Sequence, residues 1–347
     1  MSGGVDSSVA AARLVEQGHE VVGVTMKLWG GESDTGCCSV SDVDDARRVA
    51  QQLGIPHHVW TFTDDFEQRV VEPYVEAHRT GVTPNPCIEC NRHLKFDRLL
   101  RRARAVGFAT VATGHHARIA VGPDGVRRLA RGADRAKDQS YVLYVLGQDQ
   151  LAHTLLPVGE LTKDEVRAEA ERLGLRTATK PDSQDVCFIT SGSGRSGFLS
   201  RRVPLHPAPV VDTEGHELGT VEAVELVTVG QRRGLGLPGG GEARYVTAVD
   251  VPRRRVTVGP ATDLDVTEVR LGTMVWAAGP VDGPVNAQCS AHGEPRPARV
   301  VPGPHAATSD TAAVVFDRPQ RRVAVGQSVV LYDPGTDHVV GGGLVTP

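Results

Sequence analysis

The string Ser2-Gly3-Gly4-Val5-Asp6-Ser7-Ser8 opens directly into a helical pattern, and that junction restricts what the 347-residue chain can build. Two adjacent glycines let the backbone turn tightly and aim its N–H groups inward at an anion. A helix starting near Ser7 adds its positive dipole end and unpaired N–H donors. Ser7 and Ser8 can each offer a hydroxyl to a phosphate oxygen, and Asp6 can cap the helix or sit near Mg²⁺. No Gly-Lys-Ser/Thr follows, so this is not the Walker phosphate loop. A generic glycine-rich turn before a helix is the bland account, and the full string makes it a poor one.

Downstream, short β-branched runs alternate with helical patterns as far as about residue 200. Ser7 to Gln17 is predicted as a helix, with Val9, Leu14 and Val15 toward a core and Gly18 as its stop. Glu20 to Met26 is predicted as a buried strand, Ser41 to Leu53 as a second helix closed by Gly54, and His58 to Phe62 as a further strand. Leu94 to Val106 carries a basic amphipathic pattern ending at Gly107. Thr110 to Thr113 is a short strand before the turn Gly114-His115-His116. Thr162-Lys163-Asp164-Glu165 is a capping box that opens a helix to Leu173, stopped by Gly174. This alternation predicts an α/β fold with a parallel sheet and helices on both faces.

After residue 200 the pattern changes. Pro204, Pro207 and Pro209 break the helical signal, and Val-rich runs bounded by Gly, Pro and Asp follow, among them Val246 to Val249, Arg255 to Val258, Ala312 to Phe316 and Ser328 to Tyr332. Such spacing predicts small β domains, barrel-like in form. The expected division is 1–200, 201–262 and 263–347, with no internal repeat.

Hydrophobic residues make up 40% and charged residues 23% of the chain. No apolar run approaches the ~20 residues needed to span a bilayer, and the start lacks a basic and apolar leader. The cytoplasm is therefore the expected compartment, without membrane association. A formal net charge of −4 means that nucleic-acid contacts must come from local patches. Candidates are Arg98, Arg101, Arg102 and Arg104; Arg131, Arg135 and Lys137; Arg201 and Arg202; and Arg253 to Arg255. Each is also readable as a solvated face.

The six cysteines, at 37, 38, 87, 90, 187 and 289, are too few and too uneven for a disulfide scaffold. Cys87-Ile88-Glu89-Cys90 lies within Thr83-Pro84-Asn85-Pro86-Cys87-Ile88-Glu89-Cys90-Asn91, where two prolines stiffen the loop. Asn91 is read as a cap for the following helix. That would put Cys90 just before a helix N-terminus, where the dipole favours the thiolate. Cys187 lies in Lys180-Pro181-Asp182-Ser183-Gln184-Asp185-Val186-Cys187-Phe188-Ile189 and is equally readable as a core thiol. A single C-x-x-C without a second pair is a weak zinc signal.

The opening loop resembles that of the N-type ATP pyrophosphatases, which cleave ATP between its α and β phosphates and attach AMP to an oxygen. In that superfamily the loop follows a buried strand. Only Met1 precedes it here, so a start further upstream, or a truncated chain, is expected. The further strings TPNPCIECN, ATGHHAR (Ala112 to Arg118), KDQSY (Lys137 to Tyr141), KPDSQDVCFI and TVGQRRGLGL (Thr228 to Leu237) occur in the order found in bacterial tRNA-specific 2-thiouridylases. The similarity is close from Ser2 to about residue 260 and looser through Gly326 to Tyr332. It implies a pyrophosphatase domain, a small central β-rich domain and a C-terminal β-barrel that contacts tRNA.

The resemblance also implies roles. Ser2, Gly3, Gly4, Val5, Asp6, Ser7 and Ser8 would hold ATP with Mg²⁺, and Met26 and Gly114 would contact the nucleotide. Cys187 would carry a persulfide and Cys90 would be the nucleophile that liberates or activates its sulfur. His115, Lys137, Asp138, Gln139 and Gln327 would contact tRNA, although His115 is also readable as a structural turn residue. A cysteine desulfurase or sulfur-relay protein would donate the sulfur, and a monomer is expected.

Two departures stand out. Many relatives carry Asp where this chain has Cys87. The simpler account is an extra, non-catalytic cysteine; the other is that Cys87, Cys90 and Cys187 ligate a [4Fe–4S] cluster with one open iron. Relatives often carry an Arg-Tyr-Arg cluster where this chain reads Ser290-Ala291-His292-Gly293, so that RNA contact would be weaker or moved to Arg296 or Arg299. Two competing functions remain: adenylation of a small molecule on the same loop, and a non-catalytic sulfur or iron–sulfur carrier. The paired thiols argue against the first, and the intact loop against the second.

Overall fold

Val5, Val9 and Ala10 stand on one face of the first helix, α1 (Val5–Glu16), and that face is buried against Val49, Val158, Val166, Ala170, Leu175 and Ala178. Burying a side chain of this size contributes roughly 1.5–3 kcal/mol, so this cluster is what fixes α1. The computed structural model describes residues 1–29, 40–182, 186–189, 192, 194–238, 241–303 and 310–347. Cys37, Cys38 and the Ser183-Gln184-Asp185 segment of the Cys187 motif lie outside the described residues. The chain divides into two compact units. One comprises Met1–Val70, Pro86–Gly192 and Gly335–Val340; the other comprises Val71–Asn85, Ser193–Pro334 and Gly341–Pro347.

In the first unit, α1 begins at Val5 with Gly4 as its N-cap, two residues before the expected start, so the whole Val5-Asp6-Ser7-Ser8 run lies in the first turn. Its end is the predicted one. Gly18 takes φ +81°, and His19 N–H reaches back to the Leu14 carbonyl at 3.0 Å. A non-glycine residue would be strained in that left-handed conformation. β1 (Gly23–Lys27) begins three residues later than expected and pairs in parallel with β2 (His57–Thr61), with α2 (Val40–Gln52) between them. β3 (Val111–Ala112) is shorter than expected. The antiparallel hairpin of β4 (Ala117–Val121) and β5 (Arg127–Arg131) was not expected from the sequence. β6 (Thr154–Leu155) then pairs in parallel with β3. The capping box is present: Glu165 N–H donates to Thr162 Oγ1 at 3.3 Å, and Thr162 N–H donates to Glu165 Oε2 at 2.7 Å. It opens the helix Lys163–Arg172.

The basic helix differs most from expectation. It runs without interruption from Pro86–Cys90 through a π-helical stretch, Asn91–Arg98, into Leu99–Ala105. A π stretch carries an extra residue per turn and is often found at functional sites. Cys90 therefore lies inside the helix, with helical φ −61° and ψ −44°. Asn91 does not cap: its Nδ2 donates to the Val142 carbonyl at 2.9 Å.

The second unit is built on β strands. β7 (Ala208–Val211), β8 (Glu217–Val221), β9 (Tyr245–Asp250) and β10 (Arg255–Gly259) form a sheet in the order β8-β7-β10-β9. Val210, Val246, Val256 and Val258 fill its core. β11 (Asp265–Trp276), β12 (Gly283–Gln288), β13 (Arg296–Pro302), β14 (Ala312–Arg321), β15 (Ser328–Tyr332) and β16 (Val339–Val345) close a barrel in the order β11-β14-β13-β12-β15-β16. Closure removes free sheet edges, and all five residues of β15 are buried. Partial burial pushes the Cys289 thiol up to about 11, which disfavours its reactive thiolate. No helix among the described residues is long and apolar enough to cross a membrane.

Candidate active site

Gly3 holds φ +74°, and the space a Cβ would need there is occupied by the Asp42 backbone of α2. Only glycine fits, and the tight turn it allows brings the chain into α1. Ser7 and Ser8 hydroxyls donate to the Gly4 carbonyl at 3.1 and 2.9 Å, and Ser2 N–H donates to Ser7 Oγ at 3.1 Å. These bonds shape the loop, while the first-turn N–H groups of Val5, Asp6 and Ser7 have no acceptor within the helix. Met1 anchors the loop beside β1: its amino group donates to the Val24 carbonyl, and Thr25 Oγ1 donates to the Met1 carbonyl at 2.7 Å.

Met26, on β1, and Gly114, after β3, lie at the carboxyl ends of parallel strands, where open α/β sheets bind ligands. A Cβ on Gly114 would sit 2.6 Å from the backbone of Asp6 and Ser7. The turn Gly114-His115-His116 is thus laid directly on the first turn of α1.

Asp6 does not cap α1. Lys163 Nζ donates to its two oxygens at 2.7 and 2.8 Å, and His116 Nε2 lies 3.1 Å from Oδ1. Burial opposes ionisation of Asp6, but the His116 and Lys163 hydrogen bonds outweigh it and hold the carboxyl below its usual range. Lys163 also lies 2.9 Å from Asp182 Oδ1, and Asp182 is further paired with Lys137 at 2.8 Å and Arg167 at 2.9 Å. The sequence reading used Thr162-Lys163-Asp164-Glu165 only as a capping box and missed Lys163 as the link between the loop and the Cys187 segment. Its one local signal is a lysine at the first position of a helix, where a cation is unfavourable without an anionic partner.

Asp182 gives a pH prediction. Burial again raises its pKa, yet the hydrogen bonds from Lys137 and Lys163 lower it from 3.8 to about 2. Because the folded value lies below the unfolded one, its stabilisation is complete above pH ~5 and is lost as pH falls toward 2. It is worth about 2 kcal/mol. Urea unfolding from pH 6 to pH 3 should therefore show a gap between wild type and Asp182→Asn that narrows with acidification.

The two thiols lie in the same unit, on segments tied to this loop. Phe188, next to Cys187, packs its ring 6.4 Å from Trp29, just beyond β1, and 5.6 Å from Phe66. On the Cys90 helix, Lys95 Nζ lies 3.4 Å from His115 Nε2, and the Phe96 ring lies 5.9 Å from that of His115. Cys90 is buried, Cys187 half-buried and Cys87 exposed. Cys87, near the helix start, has the position that the sequence reading gave to Cys90. Asn91 Oδ1 and His116 Nδ1 are buried without a hydrogen-bond partner, as happens where a ligand or water completes a site.

The residues expected to meet RNA fare unequally. His115 is buried, with Nδ1 2.7 Å from Thr113 Oγ1; burial first, then the charges of Lys95 and His116, push its pKa well down, so the ring is neutral and turned inward. Asp138 is consumed internally by Arg131, Gly132 and Ser140, with 3% of its side chain exposed. Gln139 Oε1 accepts from His116 N–H at 2.9 Å. Lys137 and Gln139 remain exposed. In the second unit, Gln327 Nε2 donates to the Thr83 carbonyl at 2.8 Å.

Several basic candidates from the sequence are already engaged. Arg98 pairs with Asp65, Arg101 with Asp97, Arg104 with Asp149, Arg131 with Asp138, Arg135 with Asp337 and Arg253 with Asp250. Arg102 lies 4.5 Å over Trp60, and Arg202 lies 4.4 Å over Phe198. Among the described residues, the one three-residue grouping with metal-ligand proximity is Asp212, Glu214 and His216, of which the last two are exposed.

Comparison with known proteins covers the whole chain. Three domain models match in order: a tRNA methyl transferase HUP domain over residues 1–191, a tRNA methyl transferase PRC-barrel domain over 196–260, and an aminomethyltransferase beta-barrel domain over 266–345. A tRNA-specific 2-thiouridylase MnmA of Roseiflexus sp. (strain RS-1) is 46% identical over 372 residues, covering 99% of this chain and 97% of its own length. The protein of that name from Mycobacterium tuberculosis (strain H37Rv) is 47% identical over 358 residues, covering 99% and 95%. The one from Mycobacteroides abscessus is 47% identical over 359 residues, covering 100% and 98%. A solved NMN synthetase from Francisella tularensis aligns with TM-score 0.34 and 21% identity over 53% of this chain and 64% of that one, too little to carry an argument.

Proposed function

The chain belongs to the tRNA-specific 2-thiouridylase family, and from that premise we propose that it uses ATP to exchange the C2 oxygen of the wobble uridine in tRNA for sulfur. A urea-like oxygen is a poor leaving group, and AMP is a good one. The uridine O2 attacks the α-phosphorus of ATP, and pyrophosphate departs. The terminal sulfur of a Cys187 persulfide then bonds to C2 as AMP leaves. Attack of the Cys90 thiolate on the Cys187 Sγ then breaks the persulfide S–S bond, forms a disulfide between the two cysteines and leaves the transferred sulfur with its electron pair on C2 as the 2-thio group.

The observation that carries this reading is the close seating of the Gly114-His115-His116 turn on the Asp6–Ser7 backbone. Through His115 that turn supports the Cys90 helix, and through Asp6, Lys163 and Asp182 the loop supports the Cys187 segment. One phosphate-facing helix end and two thiols thus share a scaffold. The first-turn N–H groups and the Ser2–Ser8 loop are suited to the triphosphate. Mg²⁺, when bound with the nucleotide, would supply charge neutralisation on that triphosphate, and Asp6 is already engaged by Lys163 and His116. Lys137 and Gln139 are the exposed candidates for the RNA, with Gln327 on the other unit. The matched domain families are named for methyl and aminomethyl transfer, whereas a triphosphate loop coupled to paired thiols suits adenylation and sulfur transfer.

The finer parts of the reading are a sulfur-donor protein that charges Cys187, a monomeric state and a cytoplasmic setting. Cys87, Cys90 and Cys187 also offer three thiolate donors for a [4Fe–4S] cluster, which would present an open iron to the incoming sulfur. Cys87 and Cys90, three apart on one helix, share a face. Iron content and visible absorption of anaerobically purified protein test that extension separately.

The test incubates the protein with ATP, Mg²⁺, a sulfide or persulfide source and unmodified tRNA, and measures 2-thiouridine by nucleoside mass spectrometry. The expected result is 2-thiouridine with pyrophosphate release that depends on tRNA. Equal pyrophosphate release with and without tRNA would favour a small-molecule adenylating enzyme.

A further inference from the structure

The basic runs read from the sequence are largely paired with carboxylates or stacked on rings, but a different group of arginines in the second unit has no carboxylate partner among the described residues. Gly230 N–H donates to the Val246 carbonyl at 2.8 Å and Val246 N–H to the Gln231 carbonyl at 2.9 Å. These bonds set Arg232 beside Arg244 and Tyr245 at the start of β9. The end of β14 reaches the same place. Arg321 lies with its guanidinium carbon 4.6 Å over the Tyr245 ring, and Arg322 Nη1 donates to the Thr247 carbonyl of β9 at 3.4 Å. Arg232, Arg233, Arg244, Arg321 and Arg322 are all exposed. Among the described residues none of the five closes an ion pair, while Arg253, Arg270 and Arg299 of the same unit do. Hydrogen bonding from Arg321, joined by the charge of Arg232, holds the Tyr245 hydroxyl below the usual phenol range.

The Arg232 and Arg321 guanidiniums at one half-buried ring, with three further exposed arginines on adjoining residues, repel one another, and the chain as a whole is acidic, with a net charge of −4. Such a concentration is relieved by an external polyanion. Guanidinium forks match phosphate oxygens in a bidentate way, and a tyrosine edge among them can lie against a ribose or a base. We propose that Arg232 and Arg321, which meet at Tyr245, together with the exposed Arg233, Arg244 and Arg322 on adjoining residues where β9 meets the end of β14, form a docking surface for the phosphodiester backbone of the tRNA substrate. It deepens the thiouridylase reading and rests on it. The surface reads charge and spacing without base edges, so it serves affinity for tRNA as a class while selection of the base stays with other residues.

The test compares wild type with Arg232→Ala/Arg321→Ala and with Arg232→Lys/Arg321→Lys, measuring tRNA binding against salt together with ATP binding and thermal melting. The alanine pair should weaken tRNA binding about tenfold at near-physiological salt and reduce the slope of log K against log salt by roughly one per arginine. The lysine pair should restore the slope, while ATP binding and melting stay unchanged in both. Unchanged tRNA affinity and slope in the alanine pair, with wild type active on tRNA, would overturn the surface and leave the thiouridylase reading intact. Loss of ATP binding in step with tRNA binding would overturn it as well, by marking a general structural defect. Failure of wild type to bind tRNA at all would remove the reading and the surface together.

Discussion

Replacing Cys90 or Cys187 by serine should abolish 2-thiouridine formation, by about 10³-fold or more, since a hydroxyl at neutral pH neither holds a persulfide nor attacks one. ATP binding should survive in both variants, because the triphosphate site proposed at Gly3, Gly4 and the start of α1 includes neither thiol. Serine is close in size, so the buried Cys90 site should lose only about 1–2 kcal/mol from the extra polarity of the hydroxyl. A thermal melt separates that small change from the catalytic loss. Cys87→Ser is the informative third variant. As an exposed bystander it should leave activity within a few-fold of wild type; as a cluster ligand it should remove bound iron and activity together. If both the Cys90 and Cys187 variants still make 2-thiouridine, the assigned thiol roles are wrong.

Features carried by local chemistry were legible in the sequence. The glycine stop at Gly18 and the capping box at Thr162 each depend on neighbours within a few residues, and each is present, while the first helix starts two residues before the Ser7 expected. Features that depend on partners distant in sequence were not. Lys163 finds Asp6 across 157 residues, which no window over the chain reveals. The π stretch Asn91–Arg98 is an extra residue absorbed by packing, and the apolar spacing around Leu94 and Phe96 is equally compatible with an ordinary helix. Contiguous arginines misled for the same reason. Arg98 and Arg101 look like a patch but meet Asp65 and Asp97, whereas Arg232, in the loop before β9, and Arg321, at the end of β14, meet at Tyr245 across a long stretch of sequence. Charge runs report composition, and only the fold reports which charges lack a counter-ion.

Gly114→Ala should cost roughly 100-fold in ATP-dependent turnover, although it adds a single methyl group. That methyl would lie 2.6 Å from Asp6 C and Ser7 N and 2.9 Å from Asp6 Cβ. Two of these neighbours are backbone atoms of the first turn of α1, and they cannot rotate away. Asp6 is further held by Lys163 and His116, so relief requires the turn and α1 to separate by an appreciable fraction of an ångström. Overpacking of this kind costs about 1–3 kcal/mol of stability. A misplacement near 1 Å in a site that depends on aligned donors costs about 10² in rate. The loss should therefore be much larger in kcat/KM for ATP, read by pyrophosphate release, than the modest drop in melting temperature would suggest. Gly241→Ala, at a position with no atom within 4 Å of the new methyl, is the matched control and should behave as wild type. Normal ATP kinetics in Gly114→Ala would mean that the turn does not bear on the phosphate-facing end of α1, and the shared scaffold for adenylation and sulfur transfer would lose its central contact.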